Sequence, residues 1–158
     1  MKPCLHDYRI VPMHDHPGGA DEAIRYYHSK WGRENNLVFF RDAIEHANDS
    51  GLPQFFVLLK GERIVGCCGL IANDLISRQD LCPWLCGLFV EASERGRGLG
   101  NFLLEYAEKE ARRVGYDTVY LSTDHTAYYE RYGWEYIGDG YEPSGDPARI
   151  YRKMLHLL

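Results

Sequence analysis

Between positions 99 and 114 apolar residues recur at helical spacing: Leu99, Phe102, Leu103, Tyr106, Ala107, Ala111 and Val114 share one face, and Glu105, Glu108, Lys109, Arg112 and Arg113 occupy the other. The pattern predicts an amphipathic helix closed by Gly115, a residue type that suits a helix C-terminus. Upstream, Trp84 to Val90 is an apolar run of strand length. Nearer the start, Tyr8 to Met13 alternates as a strand, and Ala20 to Trp31 and Leu37 to Ala47 read as two helices joined around Gly32-Arg33-Glu34-Asn35. Gln54 to Leu59 and Ile64 to Ala72 predict a hairpin turning at Lys60-Gly61-Glu62-Arg63. Thr118 to Ser122 reads as a further strand, Gly138 to Asp146 as a loop rich in Gly, Pro and acid, and Arg149 to Leu155 as a last strand.

The apolar run and the amphipathic helix are joined by Arg95-Gly96-Arg97-Gly98-Leu99-Gly100. A strand that delivers the chain to a glycine-rich turn and then to a helix N-terminus is built to meet an anion. Glycines let backbone approach without a side chain in the way, and the helix opens with unpaired N–H groups and the positive end of its dipole. The spacing excludes two familiar uses of that plan. A dinucleotide fingerprint starting at Gly96 would need glycine where Asn101 stands, and a P-loop would need Lys-Ser/Thr where Asn101-Phe102 stand.

Leu88-Phe89-Val90 followed by Arg-Gly-x-Gly-x-Gly resembles the acyl-CoA-binding motif of the GNAT superfamily of N-acyltransferases, in which the pattern follows a bulged strand. Ala127-Tyr128-Tyr129-Glu130-Arg131-Tyr132-Gly133-Trp134 is similar to that family's A-x-F-Y-E-K-x-G-F block and follows a short strand, as it does there. The resemblance covers roughly residues 54 to 155. It implies one α/β (α+β) domain over residues 1–158, with a mixed, mainly antiparallel sheet flanked by helices and with splayed fourth and fifth strands. It also implies an element order of strand, two helices, three strands, helix, strand, helix, two strands.

The same resemblance implies acetyl-CoA as co-substrate. Backbone of Leu88, Phe89 and Val90 would hold the pantetheine arm as an added strand. Amides from Arg95, Gly96, Arg97, Gly98, Leu99, Gly100 and Asn101 would hold the pyrophosphate, with charge added by Arg95 and Arg97. Tyr129 matches the family's tyrosine, which protonates the departing thiolate, and Tyr128 and Tyr132 are read as packing. No glutamate stands at the start of the fourth strand, so Asp124 and His125 are the candidates for the base, with a helix cap at Asp124 and a solvated His125 as the plain alternative. Walls for an amine acceptor are expected from 25–31, including Tyr27 and Trp31, from 80–84, including Asp80 and Trp84, and from 138–142. A non-catalytic acyl-CoA-binding module is the alternative to an N-acetyltransferase.

Composition narrows the partners. In 158 residues with a net charge of −5 there is no basic run dense enough for nucleic acid, and no apolar stretch of membrane-spanning length. Residues 1–7 lack a signal-peptide core, so a cytoplasmic protein is expected, with a homodimer left open. The five cysteines, Cys4, Cys67, Cys68, Cys82 and Cys86, have neither disulfide-framework nor C-x-x-C spacing and read as reduced core thiols. Adjacent Cys67 and Cys68 point to opposite sheet faces, which argues against a shared metal, and His14-Asp15-His16 reads as a polar loop.

Overall fold

The structure, a computed structural model, describes residues 5–155. Its elements are β1 (Tyr8–Pro12), α1 (Ala20–Trp31), α2 (Leu37–Glu45), β2 (Gln54–Lys60), β3 (Arg63–Ile71), β4 (Trp84–Val90), α3 (Leu99–Arg113), β5 (Thr118–Thr123), β6 (Glu135–Tyr141) and β7 (Pro147–Met154). The strands follow the order β1-β2-β3-β4-β5-β7-β6. β4 and β5 run parallel with Trp84 opposite Tyr120, while β1–β2, β5–β7 and β6–β7 are antiparallel, giving the mixed, mainly antiparallel sheet expected. Among the described residues no helix is long and apolar enough to cross a membrane.

The chain forms two compact units. Of the described residues, the first comprises 5–69 with 87–106. Here β2 is buried along nearly its whole length, because Phe55-Phe56-Val57-Leu58-Leu59 is apolar at every position and both of its faces are covered. α1 turns Ala23, Ile24 and Tyr27 inward, and the Tyr27 ring sits 5.5 Å from Phe55 and 5.6 Å from Phe40 of α2. α2 stops at Glu45, two residues before the expected end, where the His46 ring bonds back to the Asp42 carbonyl at 2.7 Å. The first half of α3 contributes Leu99, Leu103 and Leu104 to this core, and Phe56 meets Tyr106 edge-on at 5.0 Å.

Of the described residues, the second unit comprises 70–86 with 107–155. Its core gathers Ile76, Trp84, Ala148 and Ile150, flanked by Ile71, Leu81, Tyr120 and Ile137. α3 ends as a Schellman motif: Gly115, at φ +105°, donates to Arg112 at 3.0 Å and Tyr116 donates to Ala111 at 3.0 Å. Two expectations are corrected here. Gly138 to Tyr141 is not loop but the second half of β6, paired with β7 across a bulge between Tyr136 and Gly138; only Glu142 to Asp146 form the turn. The helix expected at Tyr129 is a single 3-10 turn, Glu130–Tyr132, because Ala127 at φ +68° and Gly133 at φ +86° take the backbone out of the helical region on either side.

The cysteine reading also needs one correction. Cys67, Cys68 and Cys86 are buried, whereas Cys82 is exposed, its Sγ 3.8 Å from the Tyr116 hydroxyl, so it is not a core thiol. Burial pushes the Cys67 thiol up to about 12 and the Cys68 thiol higher still, which makes both inert packing groups at neutral pH. Cys4 lies outside the described residues.

Candidate functional site

β4 changes character at Gly87. Its φ of +62° is one that side chains resist, and a Cβ built there would lie 2.2 Å from the Tyr27 hydroxyl. The Gly87 carbonyl turned out by that kink accepts the Trp31 indole N–H at 3.0 Å and the Cys67 thiol at 3.5 Å. Leu88, Phe89 and Val90 continue half-buried, and Glu91 N–H returns to the Val65 carbonyl at 2.8 Å. Glu91 itself accepts from the Tyr26 hydroxyl at 2.7 Å and pairs with Lys30 at 2.8 Å, so α1 fixes the end of the strand. Those two donors, Lys30 first, hold the Glu91 carboxyl below the usual range.

A short 3-10 turn, Ala92–Glu94, then leads into the glycine loop. Glu94 is buried and receives the Tyr8 hydroxyl, Lys60 at 3.2 Å and Arg63 at 3.2 Å, with Arg97 at 3.8 Å. The hydrogen bond from Tyr8, followed by Lys60, holds its carboxyl low, so it is a fixed negative strut. Arg95 turns back on the strand, donating from Nε to the Val90 carbonyl at 2.9 Å with its guanidinium over the Phe89 ring. Both arginines of the motif are thus engaged in holding the loop's shape. Gly96 at φ +82° and Gly98 at φ +76° give the loop its left-handed turns, and residues 95–98 are exposed. The first N–H to find a helical carbonyl is that of Phe102, on Gly98 at 3.0 Å. Those of Leu99, Gly100 and Asn101 precede it and have no intrahelical partner, which is the donor set an anion needs.

The four residues read as acceptor walls have separate places. Trp31 is 46% exposed on α1. Tyr27 is buried beneath Gly87. Asp80 is exposed and doubly paired with Arg78, at 2.9 and 2.8 Å. Trp84 is fully enclosed, its indole N–H on the Leu81 carbonyl at 2.7 Å, so its side chain serves the core of the second unit.

In the second unit, Tyr129 is 8% exposed, its ring 4.9 Å from Tyr128, 5.7 Å from Tyr151 and 6.2 Å from Trp134. Burial pushes its phenol up to about 12, with a hydrogen bond from Thr123 pulling partly the other way. The Thr123 hydroxyl oxygen also accepts the His125 N–H at 3.0 Å. Tyr128 and Tyr132 pack edge-on at 5.5 Å. Asp124 and His125 are exposed, and Asp124 is not a cap: the N-cap position belongs to Tyr129, with no side-chain cap bond. Asp74, in the loop after β3, was missed by sequence reasoning. It is half-buried, and its carboxylate accepts the Ser122 hydroxyl at 3.5 Å. Nothing in Ala72-Asn73-Asp74-Leu75 distinguishes it from a turn.

A sequence model of the acetyltransferase (GNAT) family matches residues 19–134. Among solved structures, the chain is similar to an aminoglycoside 6'-N-acetyltransferase complexed with coenzyme A, at 18% identity over 95% of this chain and 98% of that one, with a TM-score of 0.71. A GNAT-family acetyltransferase from Staphylococcus aureus Mu50 matches at 20% identity over 94% and 99%, TM-score 0.68. An acyl-CoA N-acyltransferase from Pseudomonas aeruginosa matches at 22% identity over 93% and 98%, TM-score 0.64.

Proposed function

The chain belongs to the acetyltransferase (GNAT) family, and from that premise we propose that it moves an acetyl group from acetyl-CoA directly to a primary amine. The observation that carries this reading is the run from the Gly87 kink to Asn101. It offers strand backbone for an extended arm, then a left-handed glycine turn, then three helix N–H groups, while Arg95 and Arg97 are engaged as struts. Leu88, Phe89 and Val90 would hold the pantetheine arm, and 95–101 the pyrophosphate.

Tyr129 supplies the acid. A phenol kept protonated by burial delivers its proton to a thiolate as the C–S bond breaks, and the Thr123 hydroxyl supports the phenolate left behind. Asp124 and His125 are both water-exposed, the position of groups that could relay protons between the site and solvent. Trp31, exposed beside the kink it caps, is the wall residue we assign to the acceptor. The acceptor class is a primary amine, and a neighbour's name for an aminoglycoside does not narrow it.

A panel of amines scored by release of CoA thiol tests the reading, with Tyr129→Phe beside the wild type. Turnover should fall roughly 100-fold or more in Tyr129→Phe, with calorimetric affinity for acetyl-CoA unchanged. Tight acetyl-CoA binding without thiol release on any amine would favour a non-catalytic module instead.

A further inference from the structure

Building on the transferase reading above, we propose that Asp74 is the general base that takes the proton of the acceptor amine, acting from the face of β5 opposite the one that carries Tyr129. Alternation along β5 sets the two faces. Ser122 pairs with Ile150 and shares its side with the Trp84–Ile76–Ile150 core, and it is Ser122 that donates to Asp74. Leu121 pairs with Tyr151, against which Tyr129 packs, and Thr123 lies on that same side and bonds the Tyr129 phenol. Consecutive residues at the end of one strand therefore present a proton acceptor on one side and a proton donor on the other.

The loop that carries Asp74 is held against its solvation preferences. Leu75 adopts a left-handed φ of +52° and leaves its apolar side chain 65% exposed, while the carboxylate beside it turns inward. The Asn73 amide fixes this arrangement, its Oδ1 accepting Ile76 N–H and its Nδ2 donating to the Ile76 carbonyl, both at 3.2 Å, and Ile76 is anchored in the core. The Asn73 turn and the left-handed Leu75 thus hold the loop so that the Asp74 carboxylate turns inward to Ser122. Among the described residues Asp74 forms no ion pair. Ser122 faces it from β5 and the like charge of Glu142 from the β6–β7 turn. Burial and, more weakly, Glu142 push its carboxyl up to about 7 against the Ser122 hydrogen bond, which poises it to take up and release a proton near neutrality.

The steps balance. Asp74 takes one proton from the acceptor ammonium, freeing the nitrogen lone pair. The nitrogen then bonds to the thioester carbonyl carbon, the C–S bond breaks, and the thiolate takes the Tyr129 proton. The second nitrogen proton leaves as the amide forms and restores the phenol. Asp74 returns its proton to solvent.

The test is kcat/KM against pH for wild type, Asp74→Asn, Asp74→Glu and His125→Ala with the same amine, whose own ionisation is common to all four. Wild-type activity should climb through pH 7. Asp74→Asn should lose about 100-fold at the plateau, together with that climb, while still binding acetyl-CoA. Asp74→Glu should restore part of both. Asp74→Asn with wild-type rates and profile, or a climb abolished by His125→Ala instead, would overturn the assignment and leave the transferase reading standing. A wild type that binds acetyl-CoA yet acetylates no amine would overturn both.

Discussion

The glycine loop and the end of β5 divide their labour in opposite ways. At the loop the side chains are struts, and in the proposed reading it is backbone that meets the ligand: Arg95 braces Val90, Glu94 gathers Tyr8, Lys60 and Arg63, and Trp31 caps Gly87. At the end of β5 the proposed site is made of side chains instead, with Ser122 and Thr123, consecutive strand residues on opposite faces, beside Asp74 and Tyr129. A backbone site depends on which conformations are permitted, and a side-chain site depends on what surrounds each ionisable group. The two should therefore fail differently when altered.

The largest expected effect is at Gly87. An alanine there combines a disfavoured φ with a methyl driven into the Tyr27 ring, so Gly87→Ala should lower stability by about 3 kcal/mol in urea unfolding. Stability within about 0.5 kcal/mol of wild type, inside the scatter of ordinary surface changes, would mean that the kink is not fixed by this packing. Next is Gly98, at φ +76° on the exposed turn. Gly98→Val should weaken acetyl-CoA at least tenfold, about 1.4 kcal/mol, in calorimetry on a folded variant, and equal affinity would break the backbone half of the contrast.

The smallest effect sharpens the side-chain half. Asp74 titrates near 7 in the fold and near 3.8 when unfolded, so between those values the folded state holds the extra proton and stability falls as pH rises. Asp74→Asn should then be more stable than wild type by about 1 kcal/mol at pH 8, since solvent screens part of the cost of the buried charge, and the gain should vanish below about pH 4. A gain that persists undiminished at pH 4 would show that charge is not its source. Greater stability in a less active variant is the trade expected of a base held where it is costly to ionise.

Most of the loop was legible in the sequence because its determinants are local. Apolar spacing set the bounds of α1 and β4, glycines marked the turn, and the periodic face of α3 placed the helix start. β6 was not legible, since Gly138 and Gly140 read as breakers. At Gly140 the place of a side chain is taken by Ile150 and Ile76, 2.7 and 2.9 Å from a Cβ built there, a reason that exists only after folding. Asp74 was illegible for the same cause: its clamp is local, but its burial and its serine come from Ser122, 48 residues further along the chain. Trp84 misled in the other direction: an aromatic at the start of β4 looked like a substrate wall and proved to be core.

Glu94 also bears on the timing of costs. By tying β1, β2 and β3 to the entrance of the glycine loop, it makes the loop rigid at its root before any ligand arrives. Ordering a backbone residue costs about 1–2 kcal/mol in entropy, and for these residues that cost is met once, during folding. If this loop holds the pyrophosphate as proposed, each round of co-substrate capture starts from a receptor already in shape, and the free energy of phosphate contact goes into affinity instead of into arranging the protein.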